Sequence, residues 1–142
     1  MSTILDDAEA VALCQWREAR SEGEIGMRAV GHVIVNRAAS WYHQMRYPVH
    51  FAVYAKNQFT SMSCPSDPQY RRFPAEVDPQ WQFCQQIAPE ILADADPDPT
   101  NGALYYANLE IITPGCWFEI EVVLKPQIHP LLIVIRNHHF YA

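Results

Sequence analysis

The carboxylate best suited to acid–base chemistry in this chain is Glu18, which lies where a largely apolar helix meets a polar turn. If residues 6–21 are helical, Glu18 shares a face with Val11 and Cys14, and Glu22 follows one turn later. A carboxylate with apolar neighbours and a nearby like charge holds its proton more tightly than one in water. A general acid that works near neutral pH requires this property. The same position also fits an ordinary solvated glutamate at a helix end, and this segment alone favours that interpretation.

The elements that must position Glu18 are predicted to be helical first and β-containing after Gly102. Apolar spacing and start signals predict helices over residues 6–21, 24–40, 48–56 and 79–94. Residues rich in β-branched and aromatic side chains predict strands over 103–106, 118–124 and 131–135. Residues 57–79 are rich in Ser, Pro and Asp and predict a loop or irregular hairpin, too long for a passive connection. Without repeats or a linker, we expect one domain spanning residues 1–142.

Composition narrows the class of protein. The 142 residues are 49% hydrophobic and 18% charged, which is typical of a globular domain. The formal net charge of −6 argues against a nucleic-acid-binding protein and gives no long-range attraction to an anionic wall, so binding to such a polymer would have to be local. No segment reaches the ~18 apolar residues of a membrane span. The first seven residues lack the features of a signal peptide, so we expect synthesis in the cytoplasm.

Neither the cysteines nor the histidines predict a metal site. The four cysteines have no CxxC spacing and are interpreted as buried small hydrophobic residues, although disulfides remain open. His138 and His139 are adjacent and would point apart on a strand, and the chain has no HExxH motif. We therefore expect no metal and no cofactor.

Five segments in order along the chain resemble one family of enzymes. They are Glu18-Ala19-Arg20-Ser21-Glu22-Gly23, Met27 to Arg37, Gln58-Phe59-Thr60, Asp98 to Tyr106, and Asn137-His138-His139-Phe140-Tyr141. This set resembles the cell-wall hydrolases typified by bacterial spore-cortex-lytic enzymes, over nearly the whole chain. The resemblance implies a lysozyme-like α+β fold, helical in its N-terminal part, with a small antiparallel sheet toward the C-terminus.

The resemblance implies a peptidoglycan glycosidase that cleaves the β-1,4 bond between N-acetylmuramic acid and N-acetylglucosamine. The catalytic acid/base of the family's EAR motif falls on Glu18. Many such enzymes are lytic transglycosylases, for which one carboxylate suffices. A hydrolase would need a second carboxylate about 5–5.5 Å or about 6.5–9.5 Å away. The candidates by position are Glu22, Glu24 and Asp67. Glu22 matches a second acidic position of the family motif, but it fits an ordinary surface charge equally well.

Binding of the glycan strand requires flat rings for sugar faces and polar groups for hydroxyls. The candidate rings are Tyr105, Tyr106 and Trp117. The candidate hydrogen-bonding residues are Gln58, Thr60 and Asn137. Core packing is the commoner fate of such aromatic residues. Because adjacent strand residues face opposite sides, we expect Tyr105 or Tyr106, but not both, to line the groove.

The last of the five segments also suggests a site residue. His138 aligns with the histidine of the family's C-terminal Asn-His-x-Phe-Tyr signature, where it is expected to be structural or near the groove. Arg136 departs from the glycine that the family usually has before this signature, which puts groove shape in doubt.

We expect a monomeric enzyme that acts on the cell wall after release. The favoured setting is a bacteriophage endolysin delivered through a holin, or a component of a virion. One alternative is a catalytically silent virion or structural module that binds the wall. A metal-dependent amidase or peptidase is a weaker alternative because metal-ligand spacing is missing.

Overall fold

Helices form the first two thirds of the chain in the computed structural model, which describes residues 5–142. The expectation about a signal peptide depends mostly on residues outside this part. The α-helices are α1 (Asp7–Ala19), α2 (Gly23–Trp41), α3 (Pro48–Tyr54), α4 (Thr60–Ser63) and α5 (Pro79–Leu92). The strands are β1 (Tyr105–Ala107), β2 (Leu131–Ile135) and β3 (His138–Tyr141). This order confirms the predicted α+β arrangement. Within the described residues, no helix is both long and apolar enough to cross a membrane.

The core forms where α1, α2 and α5 pack together. Asp6 starts α1 by accepting a hydrogen bond from the Glu9 backbone N–H at 2.8 Å, which satisfies one of the free donors at the helix start. Gly31 of α2 lies at the point of closest approach, because a Cβ there would be 2.6 Å from Gln15 Nε2 and 2.7 Å from Ile91 Cδ1. The small residue therefore lets three helices meet.

The three strands form an antiparallel sheet in which β3 is the central strand, between β1 and β2. The register pairs Tyr105 with Tyr141 and Tyr106 with Phe140. Phe140 is fully buried and belongs to the same core as the helices. The sheet is therefore docked on the helical layer through its central strand, and β1 lies at its edge.

The prediction of a strand over residues 118–124 is wrong. Glu119–Val123 form a π-helical turn. Lys125 pairs with Glu121 at 2.7 Å with the spacing of a helix, and Gly115 donates its backbone N–H to Glu119 at 3.0 Å. In addition, β3 already has a strand on each side. The β-branched residues at this site therefore fold locally without pairing.

The predicted loop over residues 57–79 is irregular apart from the short helix α4. The buried side chain of Arg17, on α1, binds this loop through hydrogen bonds to its backbone. Its guanidinium donates to the backbone oxygens of Ser61 and Arg72, both at 3.0 Å. These bonds fix the loop against the helix that carries Glu18.

Candidate active site

Glu18 lies in the last turn of α1, which ends at Ala19 where a short 3₁₀ turn begins. Its side chain is half-buried. Its Oε1 atom accepts a hydrogen bond from the hydroxyl of Tyr106 at 2.6 Å, across 88 residues of sequence. The helical layer and the sheet edge thus meet at this carboxylate.

Tyr106 is held in place by the rings around it. It stacks on Phe140 with ring centroids 5.5 Å apart, and its ring centroid is 5.0 Å from that of His138. Burial raises the pKa of the Tyr106 phenol well above its ordinary value, and the negative charge of Glu18 raises it further. The phenol therefore stays protonated and remains a hydrogen-bond donor to Glu18.

His138 supports this arrangement from β3. Burial lowers its pKa, although the carboxylates of Glu22 and Glu18 act in the opposite direction. The imidazole is therefore predominantly neutral at neutral pH. Its Nδ1 atom is buried without a hydrogen-bond partner among the described residues. The structure places His138 against the ring of Tyr106 and near Glu18.

Glu22 and Asn137 bind each other. Glu22 is 5% exposed and accepts hydrogen bonds from the backbone N–H and the side-chain amide of Asn137, both at 3.3 Å. A Cβ at Gly26 would lie 2.4 Å from the Cβ of Glu22, so this position must stay glycine. Arg136, next to Asn137, has a φ of 52°, a left-handed conformation that favours the glycine usual in the family. The pair therefore fixes the turn between β2 and β3.

The other two carboxylate candidates, Glu24 and Asp67, make no hydrogen bond to the residues that bind Glu18 in the described part of the chain. Glu24 is exposed in the first turn of α2. Asp67 accepts a hydrogen bond from the Thr60 hydroxyl at 2.6 Å and another from the Gln69 backbone N–H at 2.8 Å. Thr60 thus closes the 57–79 loop on itself through its bond to Asp67.

A cleft of about 810 Å³ opens beside Tyr106. Of the residues predicted to bind glycan, it brings together Gln58, Tyr105, Tyr106 and Trp117. The remaining lining residues are Arg37, Trp41, Asn57, Phe59, Cys116 and Phe118. The prediction that only one of the two tyrosines lines the groove is therefore wrong. Both tyrosines belong to β1, a three-residue strand at the edge of the sheet.

Sequence reasoning missed Arg37 and Trp41, which lie four residues apart on α2 and line the same cleft. The Cζ atom of Arg37 lies 5.1 Å from the ring centroid of Trp41. The available signal was an arginine four residues after Val33 on the apolar face of the helix, where a charged side chain is rarely fully buried.

The described residues contain no group of three or more His, Cys, Asp or Glu side chains arranged to hold a metal ion. The four cysteines are free, with Cys14 and Cys84 buried.

Residues 21–141 match the sequence profile of a family described as Cell Wall Hydrolase. This chain belongs to that family. The matched residues include Glu22 but begin after Glu18. No curated protein sequence matches the chain. The cell wall hydrolase assignment confirms the resemblance seen in the sequence and makes this protein an enzyme that acts on the cell wall.

Two solved structures confirm the fold. The catalytic domain of the germination-specific lytic transglycosylase SleB from Bacillus anthracis is 23% identical, with a TM-score of 0.68, and the match covers 99% of this chain and 98% of that one. The catalytic domain of the Bacillus cereus SleB protein is 25% identical, with a TM-score of 0.67, over 96% of this chain and 89% of that one. The cell wall hydrolase therefore has the fold of these catalytic domains along nearly its whole length.

Proposed function

We propose that this cell wall hydrolase is a lytic transglycosylase that cleaves the β-1,4 bond between N-acetylmuramic acid and N-acetylglucosamine, with Glu18 as both general acid and general base. The observation that carries the proposal is the Glu18 carboxylate, half-buried and held at 2.6 Å by the Tyr106 phenol beside an aromatic cleft. The likeness to the SleB catalytic domains adds support, because one of them is described as a lytic transglycosylase.

Two proton transfers complete the reaction. Protonated Glu18 gives its proton to the glycosidic oxygen as the bond from that oxygen to C1 of the muramic acid breaks. The C6 hydroxyl of the same sugar then attacks C1 and loses its proton to the Glu18 carboxylate. A 1,6-anhydro ring forms, the enzyme returns to its starting state and no water is consumed.

Tyr106 orients Glu18 for both steps. Its phenol binds Oε1 of Glu18, while Oε2 has no hydrogen-bond partner within residues 5–142. Oε2 is therefore the oxygen that remains for the substrate's proton. A side chain held by one hydrogen bond also loses less conformational freedom when the substrate binds.

The state of the other carboxylates favours a transglycosylase over a hydrolase. A hydrolase needs a second carboxylate to act as a nucleophile or to activate water. Glu22 is buried against Asn137, and the Asp67 oxygens are bound by Thr60 and Gln69. Glu18 is therefore the carboxylate best placed for chemistry in the part of the chain that the structure describes.

The cleft supplies what a glycan strand requires. Tyr105 and Trp117 lie with ring centroids 6.4 Å apart, and Trp117 is 64% exposed, so its ring is free to cover a sugar face. Gln58 contributes an amide to the same cleft. Asn137, His138 and Thr60 act indirectly by holding the turn, the ring stack and the loop around it.

Mass spectrometry of the muropeptides released from purified peptidoglycan tests the proposal. Wild type is expected to release anhydro-muropeptides, and Glu18→Gln is expected to lower the rate at least 100-fold, within the ~10²–10⁴-fold range of general acid–base catalysis. Glu24→Gln, an exposed residue on the neighbouring helix, is the matched control and should retain wild-type activity.

The other outcomes are equally informative. Reducing-end products would replace the transglycosylase with a hydrolase and call for a second carboxylate. Wall binding by wild type without any soluble product would support the catalytically silent module. Full activity in a folded Glu18→Gln protein would remove Glu18 from the mechanism.

The bacteriophage setting, with release through a holin or carriage on a virion, is a further part of the proposal and comes from the sequence alone. Expression in a bacterial host with and without a co-expressed holin tests it. Lysis only with the holin supports an endolysin. Equal lysis without it would contradict this setting.

A further inference from the structure

Arg37 is a buried cation at the floor of the cleft. Its side chain is 5% exposed, and its Cζ atom lies 5.1 Å from the ring centroid of Trp41 and 4.8 Å from that of Phe59. Its Nε atom donates to the backbone oxygen of Leu104 at 2.7 Å. These contacts fix the plane of the guanidinium in one orientation.

Within residues 5–142, the rest of the guanidinium is unpaired. Nη1 is buried without a hydrogen-bond partner there, and none of the described carboxylates forms an ion pair with Arg37. Arg17, the other buried arginine, differs because its Nε and Nη1 both donate to backbone oxygens. An arginine does not lose its charge, and an unpaired buried charge is costly. The arrangement therefore lacks an acceptor.

The cleft is where that acceptor can enter. Arg37 lines it together with Trp41, Tyr105 and Tyr106, and Tyr106 also binds Glu18. Nε already donates to Leu104 and Nη1 is fully buried, so Nη2 is the nitrogen that a carboxylate entering from the cleft would contact, through a charge-assisted hydrogen bond. Because the chain has a net charge of −6, such a local cation is the kind of feature that could hold an anionic polymer.

We propose that Arg37 binds a carboxylate of the peptidoglycan strand in this cleft, an inference that depends on the proposed function for the identity of the polymer. Peptidoglycan offers two sources of this group. One is the lactyl carboxylate of muramic acid residues that carry no stem peptide. The other is a carboxylate of the stem peptide itself.

Two matched pairs of substrates separate these sources. The first pair is glycan strands stripped of their peptides by an amidase, before and after carbodiimide coupling of their carboxylates to methylamine. The second pair is intact peptidoglycan before and after the same treatment. Wild type, Arg37→Gln and Arg37→Lys are compared on all four, with Arg46→Gln as a control that removes an exposed arginine.

Neutralising the bound carboxylate should lower wild-type kcat/KM at least tenfold, because a hydrogen bond to a charged group contributes about 1.5–3 kcal/mol and about 1.4 kcal/mol corresponds to a factor of ten. The change should fall mainly on KM, since the carboxylate is bound in the ground state and the transition state alike. Arg37→Gln should be insensitive within twofold, Arg37→Lys intermediate, and Arg46→Gln like wild type. The pair on which wild type shows the loss identifies the source.

An equal response of wild type and Arg37→Gln on both pairs would overturn the inference. If Arg37→Gln does not fold, the same comparison between wild type and Arg37→Lys decides the question. If wild type releases no product from any substrate, the proposed function has failed. Tryptophan fluorescence, through Trp41 and Trp117 in the cleft, then measures binding of the four polymers and still tests Arg37.

Discussion

Helix α2 carries two sets of polar side chains that differ in how completely they are paired. Arg28, His32 and Asn36 follow each other at four-residue spacing and share one face. Arg28 Nη2 lies 2.9 Å and His32 Nε2 2.8 Å from the oxygens of Asp96, while Asn36 donates to Asp98 at 3.0 Å. Each of these side chains has its partner on the segment after α5.

Arg37, one residue further along, lies on the cleft side with a buried nitrogen that has no partner in the described chain. Glu18 likewise uses one carboxylate oxygen and leaves the other open. Completely paired polar groups fix a structure, whereas incompletely paired ones retain the capacity to bind or react. The comparison therefore separates the side chains of α2 that are paired within the fold from two that keep unpaired atoms, Arg37 on α2 and Glu18 on α1.

Removing the centre of the paired cluster should have the largest effect on stability. Asp96→Ala leaves Arg28 and the nearly buried His32 without their common partner, so we expect a loss of about 3 kcal/mol in the free energy of unfolding. Glu121→Ala, which breaks the exposed pair with Lys125, is the matched control and should cost less than about 0.5 kcal/mol. Chemical denaturation measures both, and kcat/KM should change less than twofold in either variant.

The pH dependence of this loss has a defined sign. Burial by itself raises the pKa of Asp96, but hydrogen bonds from His32 and Arg28 outweigh it, so the pKa lies below its ordinary value of 3.8. The stabilisation by Asp96 is therefore complete above a pH of 3.8 and is lost as the pH falls through the lower pKa of the folded state.

A large fall in kcat/KM of Asp96→Ala with its stability unchanged would contradict this prediction, because it would place Asp96 in the active site and not in a structural cluster.

The sequence predicted best those features that depend on local pattern. Apolar spacing located α1 and α2 to within about two residues at each end, and β-branched residues predicted β2 at its observed bounds, Leu131–Ile135. The same rule failed at Glu119–Val123, because it gave weight to β-branched residues and ignored the helical spacing of Glu121 and Lys125. Where a local pattern fits both a strand and a helix, a second feature of the sequence is needed to choose between them.

The site was only partly predictable because its contacts join distant segments. The motif and the resemblance identified Glu18, but its contact with Tyr106 depends on the register of β1 with β3 and on how the sheet docks on the helices. Arg37 was hidden for the same reason, since its burial becomes informative only when its surroundings show no carboxylate partner. Asn137, predicted to bind glycan, donates its side-chain amide to Glu22 at 3.3 Å, a contact between distant segments that the sequence did not reveal.

The role of the incompletely paired Glu18 can be tested by removing the Tyr106 hydroxyl, its hydrogen-bond partner. Tyr106→Phe keeps the ring stacked on Phe140 but removes the hydrogen bond to Glu18. Because a hydrogen bond to a charged group contributes about 1.5–3 kcal/mol, we expect kcat to fall about tenfold or more with KM nearly unchanged. Tyr105→Phe is the matched control, since this neighbour lines the same cleft and its hydroxyl makes no hydrogen bond in residues 5–142.

Steady-state rates of anhydro-muropeptide release measure both tyrosine variants, and thermal melting reports whether they are folded. Tyr105→Phe should stay within about twofold of wild type in kcat, because no hydrogen bond to Glu18 is lost. Equal losses in the two variants would mean that the phenols act through the shape of the cleft. A fall in stability that tracks the fall in kcat would move Tyr106 to the structural side of the comparison. A loss confined to kcat in Tyr106→Phe makes this phenol the positioning group of Glu18. Within that one carboxylate, Oε1 would then be the oxygen that is held in place and Oε2 the oxygen left free to react.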